Sequence, residues 1–486
     1  VNGNVLVNSG GHLAPGGSST DTALFTINGN LTLAQGSVLD FSFKNIGVND
    51  QVYVDGDLTL NGTTLNVADA GGFGPGLYRL FDYSGTLQQS NGGILFGTSP
   101  AGYDLDLQYL VGQINLISTA DGTLNFWNAQ GTAGSAVVGG SGTWSKDAQV
   151  WSDKDGYSKD AMNPYPGFAI FDQTAGTVTL SDADGQVQAS GLQFATSGYV
   201  LQGTSLELVS GSNAEIRVGD GSAASAGYTA TIGSEIKGTE GLQKTGAGTL
   251  ILTGNNTYTG NTVVNAGTLQ GNTDSIRNNV VNQAKLVFDQ NTAGTFAGNI
   301  SGAGEFAKEG AGTLLLTGNN TYSGKTVIDN GTLQAGGSQA LVSGRYELNN
   351  TGALDLNDYN LTMTSLSGAA GTTIDLGSAQ LTVNTSGQSM YSGAMTGTGN
   401  LIKSGVGNLL LDGVSSYTGG TVVQSGALIV GSTSAMSSAR AGSAGAAFTV
   451  NNAASLGGFG TVAGNVEIRS GGVLTPGYSG IGQLNI

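Results

Sequence analysis

The side chains able to carry reaction chemistry are few: one histidine, His12, no cysteine, and 16 basic residues against 33 acidic ones. A serine-based acyl transfer needs a base and an orienting acid arranged around the nucleophile. His12 has no G-x-S-x-G or comparable serine context. An internal match places it where Val473 stands, so it is expected at a surface or lumen edge. A polysaccharide lyase would instead use carboxylates to hold Ca²⁺ and a basic side chain in a groove. The candidate pairs are Asp153/Asp155 and Asp182/Asp184. Gly156 and Gly185 come too early for an EF-hand loop, and there is no G-G-x-G-x-D repeat. The chain therefore reads as a non-enzyme without cofactor or metal, its carboxylates structural or solvated.

Binding chemistry has more material. Segment 121–172 holds all three tryptophans, Trp127, Trp144 and Trp151. Around them stand Lys146, Asp147, Asp153, Lys154, Asp155, Tyr157, Lys159, Asp160, Asn163 and Tyr165. This composition predicts one or more long loops projecting from a scaffold, the usual place for recognition. Aromatic faces would stack on sugar rings while Asp, Asn and Lys bond hydroxyls and sulfates. The competing expectation is that Trp144 and Trp151 simply pack a coil edge. A second candidate surface is the recurring set Tyr258, Tyr322 and Tyr417, for which corner packing is the alternative. A third is the polar run Asp274 to Asn279, read as a loop or a widened coil.

The elements that must position these groups are strands. Short runs such as Leu58-Thr59-Leu60, Val178-Thr179-Leu180 and Leu206-Glu207-Leu208 alternate with period two. Gly reaches 84 residues while charged residues are only 10%, so helix formers are scarce and turn formers recur. Residues 241–270 and 305–334 agree at about twenty of thirty positions, and 400–429 is a third copy. Lys244, Lys308 and Lys403 align, as do the three tyrosines. Residues 1–16 also match 462–477.

Each copy reads strand, turn, strand, turn, with Leu250 and Leu252 on one face and Ile251 on the other. Strands this short suit a coil in which each stacks on its equivalent one turn away, adding about 4.8 Å per turn. Asn and Gly would supply the φ > 0 corners, and corner Asn side chains would bond from coil to coil. The expected fold is thus all-β, a right-handed parallel β-helix of twenty or more coils. Three coils of about 21 residues would account for the first repeat offset. Residues 1–486 are expected to form one β-helix, with 121–172 as its loop-bearing part and 400–486 as stabilising C-terminal coils.

Charge and composition exclude several partners. A net charge of −17 with scattered Lys and Arg disfavours nucleic acid and anionic membrane surfaces. No signal peptide or apolar helix long enough to span a bilayer is visible. The strand-like opening Val1-Asn2-Gly3-Asn4-Val5 reads as a cut inside a larger protein. The absence of cysteine suits a chain that crosses a membrane pore unfolded.

The segment GAGTLILTGNNTYTGNTVVNAGTLQ resembles the autotransporter-associated β-strand repeat, nearly complete twice and degraded once. The stretch from Gly457 to Val462, with Gly471 to Gly477 after it, is also similar to such passengers. The matches cover about a quarter of the chain. The resemblance, to AIDA-type adhesins, implies export through periplasm and outer membrane by a C-terminal β-barrel that is absent from this sequence. It also implies display at the cell surface and adhesion to host matrix proteins of the fibronectin type or to glycosaminoglycan-like glycans. Self-association in cell aggregation and biofilm is the first alternative, a lyase-like β-helix the second. Membrane insertion by these residues is not expected.

Overall fold

A computed structural model of the chain describes residues 1–17, 21–44, 48–119, 123–342, 344–436 and 438–486. Residues 121 and 122, the first two of the Trp-rich segment, lie outside the described residues. The fold is a right-handed parallel β-helix, made among the described residues of mostly short strands and two 3-10 turns. It divides into two compact units. One comprises Val1–Gln270 with Asp274–Arg277, the other Gly271–Thr273 with Asn278–Ile486.

The second unit displays the coil most plainly. One turn runs through the strands Val280–Asn282, Lys285–Asp289 and Gly294–Phe296. The next turn repeats them, with Val280 against Ile300, Leu286 against Phe306 and Thr295 against Leu315, each pair 20 residues apart. Coil length is not uniform, as a fixed 21-residue turn would require. Near the N-terminus Val5 stacks on Leu31 and Leu31 on Leu58, turns of 26 and 27 residues. Residues Leu250, Leu252, Leu314 and Leu316 point into the core, whereas Ile251 and Leu315 are half-buried on the outer face, as the alternation demands.

The corners are held by asparagine. Asn320 accepts from Ile300 N at 2.7 Å and donates to Ala340 O at 2.7 Å, so one side chain joins the coils 20 residues before and after it. Asn256 makes the equivalent pair of bonds to Ile236 N and Ser275 O. A separate file, Asn279, Asn299 and Asn319, passes backbone N–H to side-chain oxygen up successive turns. Gly246, Gly310 and Gly405 take φ of 75°, 74° and 76° at one turn of the three repeats. A Cβ on Gly246 would lie 2.3 Å from Val218 O, so both conformation and space require glycine there.

Within the first unit the parallel ladder is interrupted. Strand Gly76–Tyr83 continues the N-terminal coils on one side, but its other neighbour is the antiparallel hairpin Asp104–Leu110 and Gln113–Thr119. A fresh parallel stack then begins at Leu124–Trp127 and proceeds through Phe168–Phe171 and Gly191–Phe194. Buried polar groups join the two stretches. Gln193 exchanges two 2.8 Å hydrogen bonds with the backbone of Leu77, and the Arg217 guanidinium lies 4.7 Å from the Tyr78 ring centroid. Arg79 pairs with Asp82 at 2.6 Å and with the fully buried Asp220 at 3.0 Å. Burial opposes the Arg79 charge, and Asp220 and Asp82 outweigh it, holding the pKa above its ordinary value.

The repeat tyrosines are corner-packing residues. Tyr258, Tyr322 and Tyr417 are buried, each hydroxyl meeting the threonine four residues on, Thr262, Thr326 or Thr421, at 2.7–2.9 Å. They offer no binding surface. Tyr322→Phe is expected to lower the unfolding free energy of the second unit by about 1–2 kcal/mol, measured by urea unfolding, because the buried hydroxyls of Thr326 and Tyr346 each lose a partner. The run Asp274 to Asn279 is likewise tied down over its first part. Ser275 and Ile276 are buried and Arg277 N donates to the Tyr258 hydroxyl at 3.1 Å.

Candidate ligand pocket

The Trp-rich segment is one long turn of the coil rather than a set of free loops. Gly142–Trp144 joins the parallel ladder on Thr177–Leu180. The chain then folds back, so that Trp151–Ser152 runs antiparallel to Leu124–Trp127, with Trp151 opposite Trp127. This returning strand covers the open edge with which the stack begins. Trp127, Trp144 and Trp151 close the end of the core. Ring centroids lie 5.2 Å apart for Trp127 and Trp151 and 4.9 Å for Trp144 and Trp151, and Phe171 is within 6.0 Å of all three. None is more than 1% exposed. The expectation that these rings stack on sugars is therefore corrected, and edge packing is the outcome. The apolar area is too large to leave in water at the end of a solenoid.

Between this cap and the antiparallel hairpin is a cavity of about 700 Å³. Leu105, Ile117, Leu124 and Phe126 give it an apolar floor, and Asp104, Asp106, Asp153, Asp155 and Asp160 stand around it. Lys154 reaches across, with Nζ 2.6 Å from Asp155 and 3.3 Å from Asp106. Burial works against that ammonium, but the two carboxylates outweigh it and raise its pKa. Asp153 holds its own turn, accepting from the backbone N–H of Asp155, Tyr157 and Ser158 at 3.0–3.2 Å. Asp104 and Asp160 are exposed, and their carboxylates have no partner among the described residues. Asn125 and Ser152 also line the cavity. Each is only 5% exposed, and Asn125 Nδ2 and Ser152 Oγ are unsatisfied among the described residues.

The sequence candidates thus divide. Trp151, Asp153, Lys154, Asp155, Asp160 and Asn163 line the cavity. Trp127, Trp144, Lys146, Asp147, Tyr157, Lys159 and Tyr165 do not. Lys159 is half-buried and donates to Ala129 O and Gly131 O, a structural tie. Tyr165 accepts from Gln188 N at 2.9 Å and donates to Gln186 O, with Lys146 5.6 Å from its ring. Tyr157 is exposed. The far wall, with Asp104, Asp106 and Ile117, comes from a hairpin that sequence reasoning did not single out, although the alternation on both sides of Val111-Gly112 is a hairpin signal. Among the described residues no three His, Asp or Glu side chains are grouped as metal ligands. His12 is exposed, its Nδ1 2.6 Å from Asp40 Oδ2.

The passenger-associated-transport-repeat model matches residues 242–270, 306–335 and 401–430. The chain is also 42% identical over 333 residues to the adhesin BmaC autotransporter of Brucella suis biovar 1 (strain 1330). The chain is an autotransporter passenger. The alignment covers 66% of the passenger and 9% of that relative, so the chain spans less than a tenth of the relative's length. No solved structure matches the passenger significantly.

The repeats of the passenger carry one more chemical feature, away from the cavity. Lys244, Lys308 and Lys403 are fully buried. Each ammonium faces a set of three equivalent backbone carbonyls: Thr245, Gly246 and Ala266 for Lys244; Glu309, Gly310 and Asn330 for Lys308, with Gln290 O a fourth at 3.4 Å; Ser404, Gly405 and Ser425 for Lys403. The third carbonyl in each set lies 22 residues on, in the next coil. These lysines join coils and are not placed to meet a ligand.

Proposed function

We propose that this passenger is the adhesive part of a surface-displayed autotransporter and that the cavity between hairpin and Trp cap contacts a host extracellular-matrix component. The observation that carries the reading is the cavity itself, concave, apolar at its base and ringed by polar groups, in a chain similar to an autotransporter adhesin. A protein ligand of the fibronectin type fits better than a glycosaminoglycan. Five aspartates against one lysine around the cavity, in a chain of net charge −17, repel sulfate and carboxylate groups.

The test is an array of immobilised matrix proteins and glycans, probed with the wild-type passenger and with Ala161→Trp, which fills the cavity from its half-buried wall. The expected result is binding to one or more matrix proteins, weakened about tenfold or more by the filling substitution, with the circular dichroism unchanged. Equal binding by both proteins would remove the cavity from the reading. No binding to any spot, with concentration-dependent association in sedimentation, would favour the self-associating alternative.

A further inference from the structure

We infer that a groove on the second unit binds the sugar rings of a neutral oligosaccharide. The inference is independent of the adhesive cavity in the first unit. Three residues share one file on the outer face of the ladder, Met390 against Leu410 and Leu410 against Ile429. Their neighbours Ser389, Leu409 and Leu428 are buried on the inner face. The outer face of a bare coil meets water, yet Leu410 and Ile429 are only 2% and 3% exposed, so chain beyond the ladder covers them. Met390, 46% exposed, is where this apolar file emerges.

At that point lies a cavity of about 460 Å³ with Met390 and Leu410 in its lining. Phe459 and Tyr478, both half-buried, bring two rings to it. Both rings are held in place. Gly458 and Gly477 exchange backbone hydrogen bonds of 3.2 and 2.7 Å beside them, and the Phe459 ring leaves no room for a Cβ on Gly482. Asp412 orients a polar group of the lining, accepting from Ser432 N at 2.7 Å and from Ser432 Oγ at 2.8 Å. With its proton given to Asp412, that hydroxyl offers lone pairs to a ligand. The side-chain polar groups of Gln388, Thr433, Tyr478 and Ser479 have no partner among the described residues.

A pyranose matches this set. Its C–H faces pack on rings and on the apolar file, and its hydroxyls donate and accept around the edge. An alkyl chain would take water from the polar groups and return no hydrogen bond. No Lys, Arg, His, Asp or Glu stands in the lining, so a charged sugar finds no counter-ion, and an anionic one is repelled by the net charge of −17.

The experiment titrates the whole passenger with lacto-N-neotetraose, cellotetraose and a chondroitin sulfate tetrasaccharide, followed by saturation-transfer NMR. At least one of the two neutral sugars is expected to bind, with the strongest transfer at its ring C–H protons. Preference for the first marks a host-type glycan as the source, and for the second a bacterial glucan. Tyr478→Ala is expected to weaken binding about tenfold or more, and Tyr478→Phe, which keeps the ring, about two- to tenfold. Ala161→Trp, in the first-unit cavity, should change it less than about twofold. Silence of both neutral sugars, tighter binding of the chondroitin tetrasaccharide, or unchanged affinity in both Tyr478 variants would overturn the inference. So would a neutral sugar whose binding is lost in Ala161→Trp, since it would then occupy the other cavity.

Discussion

Trp151→Ala is expected to lower the unfolding free energy of the first unit by about 3–5 kcal/mol, the range for truncating a buried large aromatic. Trp151 is 1% exposed and touches Trp127, Trp144 and Phe171 at ring-centroid distances of 4.9–5.9 Å. Its removal takes away apolar burial and the edge-to-face contacts, and leaves a hole at the end of a stack that no further parallel strand covers. The returning strand Trp151–Ser152 has only two residues, so little else holds it against Leu124–Trp127. The loss should therefore reach the ligand cavity, which the same strand borders. Urea unfolding followed by near-ultraviolet circular dichroism measures it. Tyr157→Ala, at an exposed position in the same segment, should stay within about 0.5 kcal/mol of wild type. Comparable losses at the two positions would mean that the tryptophan cluster does not cap the core.

This cap marks where the sequence stops being legible. The solenoid can be read from period-two runs and from repeats whose inward leucines and corner glycines recur in register, because stacking imposes one physical environment on every copy. Trp127, Trp144 and Trp151 occur once and have no repeat partner, so their types alone fit an exposed binding face as well as a plug. The antiparallel pairing of Trp151 with Trp127, which decides between the two, depends on the chain reversing within the segment. The cavity was half visible for a similar reason. One wall lies in the Trp-rich segment, whereas Asp104 and Asp106 stand more than 40 residues before Lys154, and Asp106 meets that lysine only through the fold. The repeat lysines aligned perfectly in sequence, but a charged residue in a strand pattern gives no hint that it faces a corner carbonyl cage.

Those lysines make stability depend on pH in an unusual direction. Burial lowers the pKa of Lys308 and of Lys403 to about 8, from an ordinary 10.5; Asp289 and Glu309 oppose the shift at Lys308. Between about pH 8 and 10.5 the unfolded chain binds more protons at these sites than the folded one, so the stability of the second unit should rise with pH across that window. Burial raises Tyr322 to about 12 and raises Tyr417 as well. Above about pH 10 the unfolded chain therefore loses protons first, and stability should fall. The maximum is expected near pH 10, well above the usual range. Lys308→Met with Lys403→Met should remove the rise and keep the fall. At pH 9, where most of the wild-type amines are uncharged, the double variant should be less stable by about 2–6 kcal/mol, because each site strands buried carbonyls of two coils. At pH 6 the gap should narrow, since the wild type then bears the burial of two ammonium groups. Urea midpoints measured from pH 6 to 11 separate the alternatives. A gap that is constant with pH would show that these side chains act by filling space, not by carrying a proton into the corner.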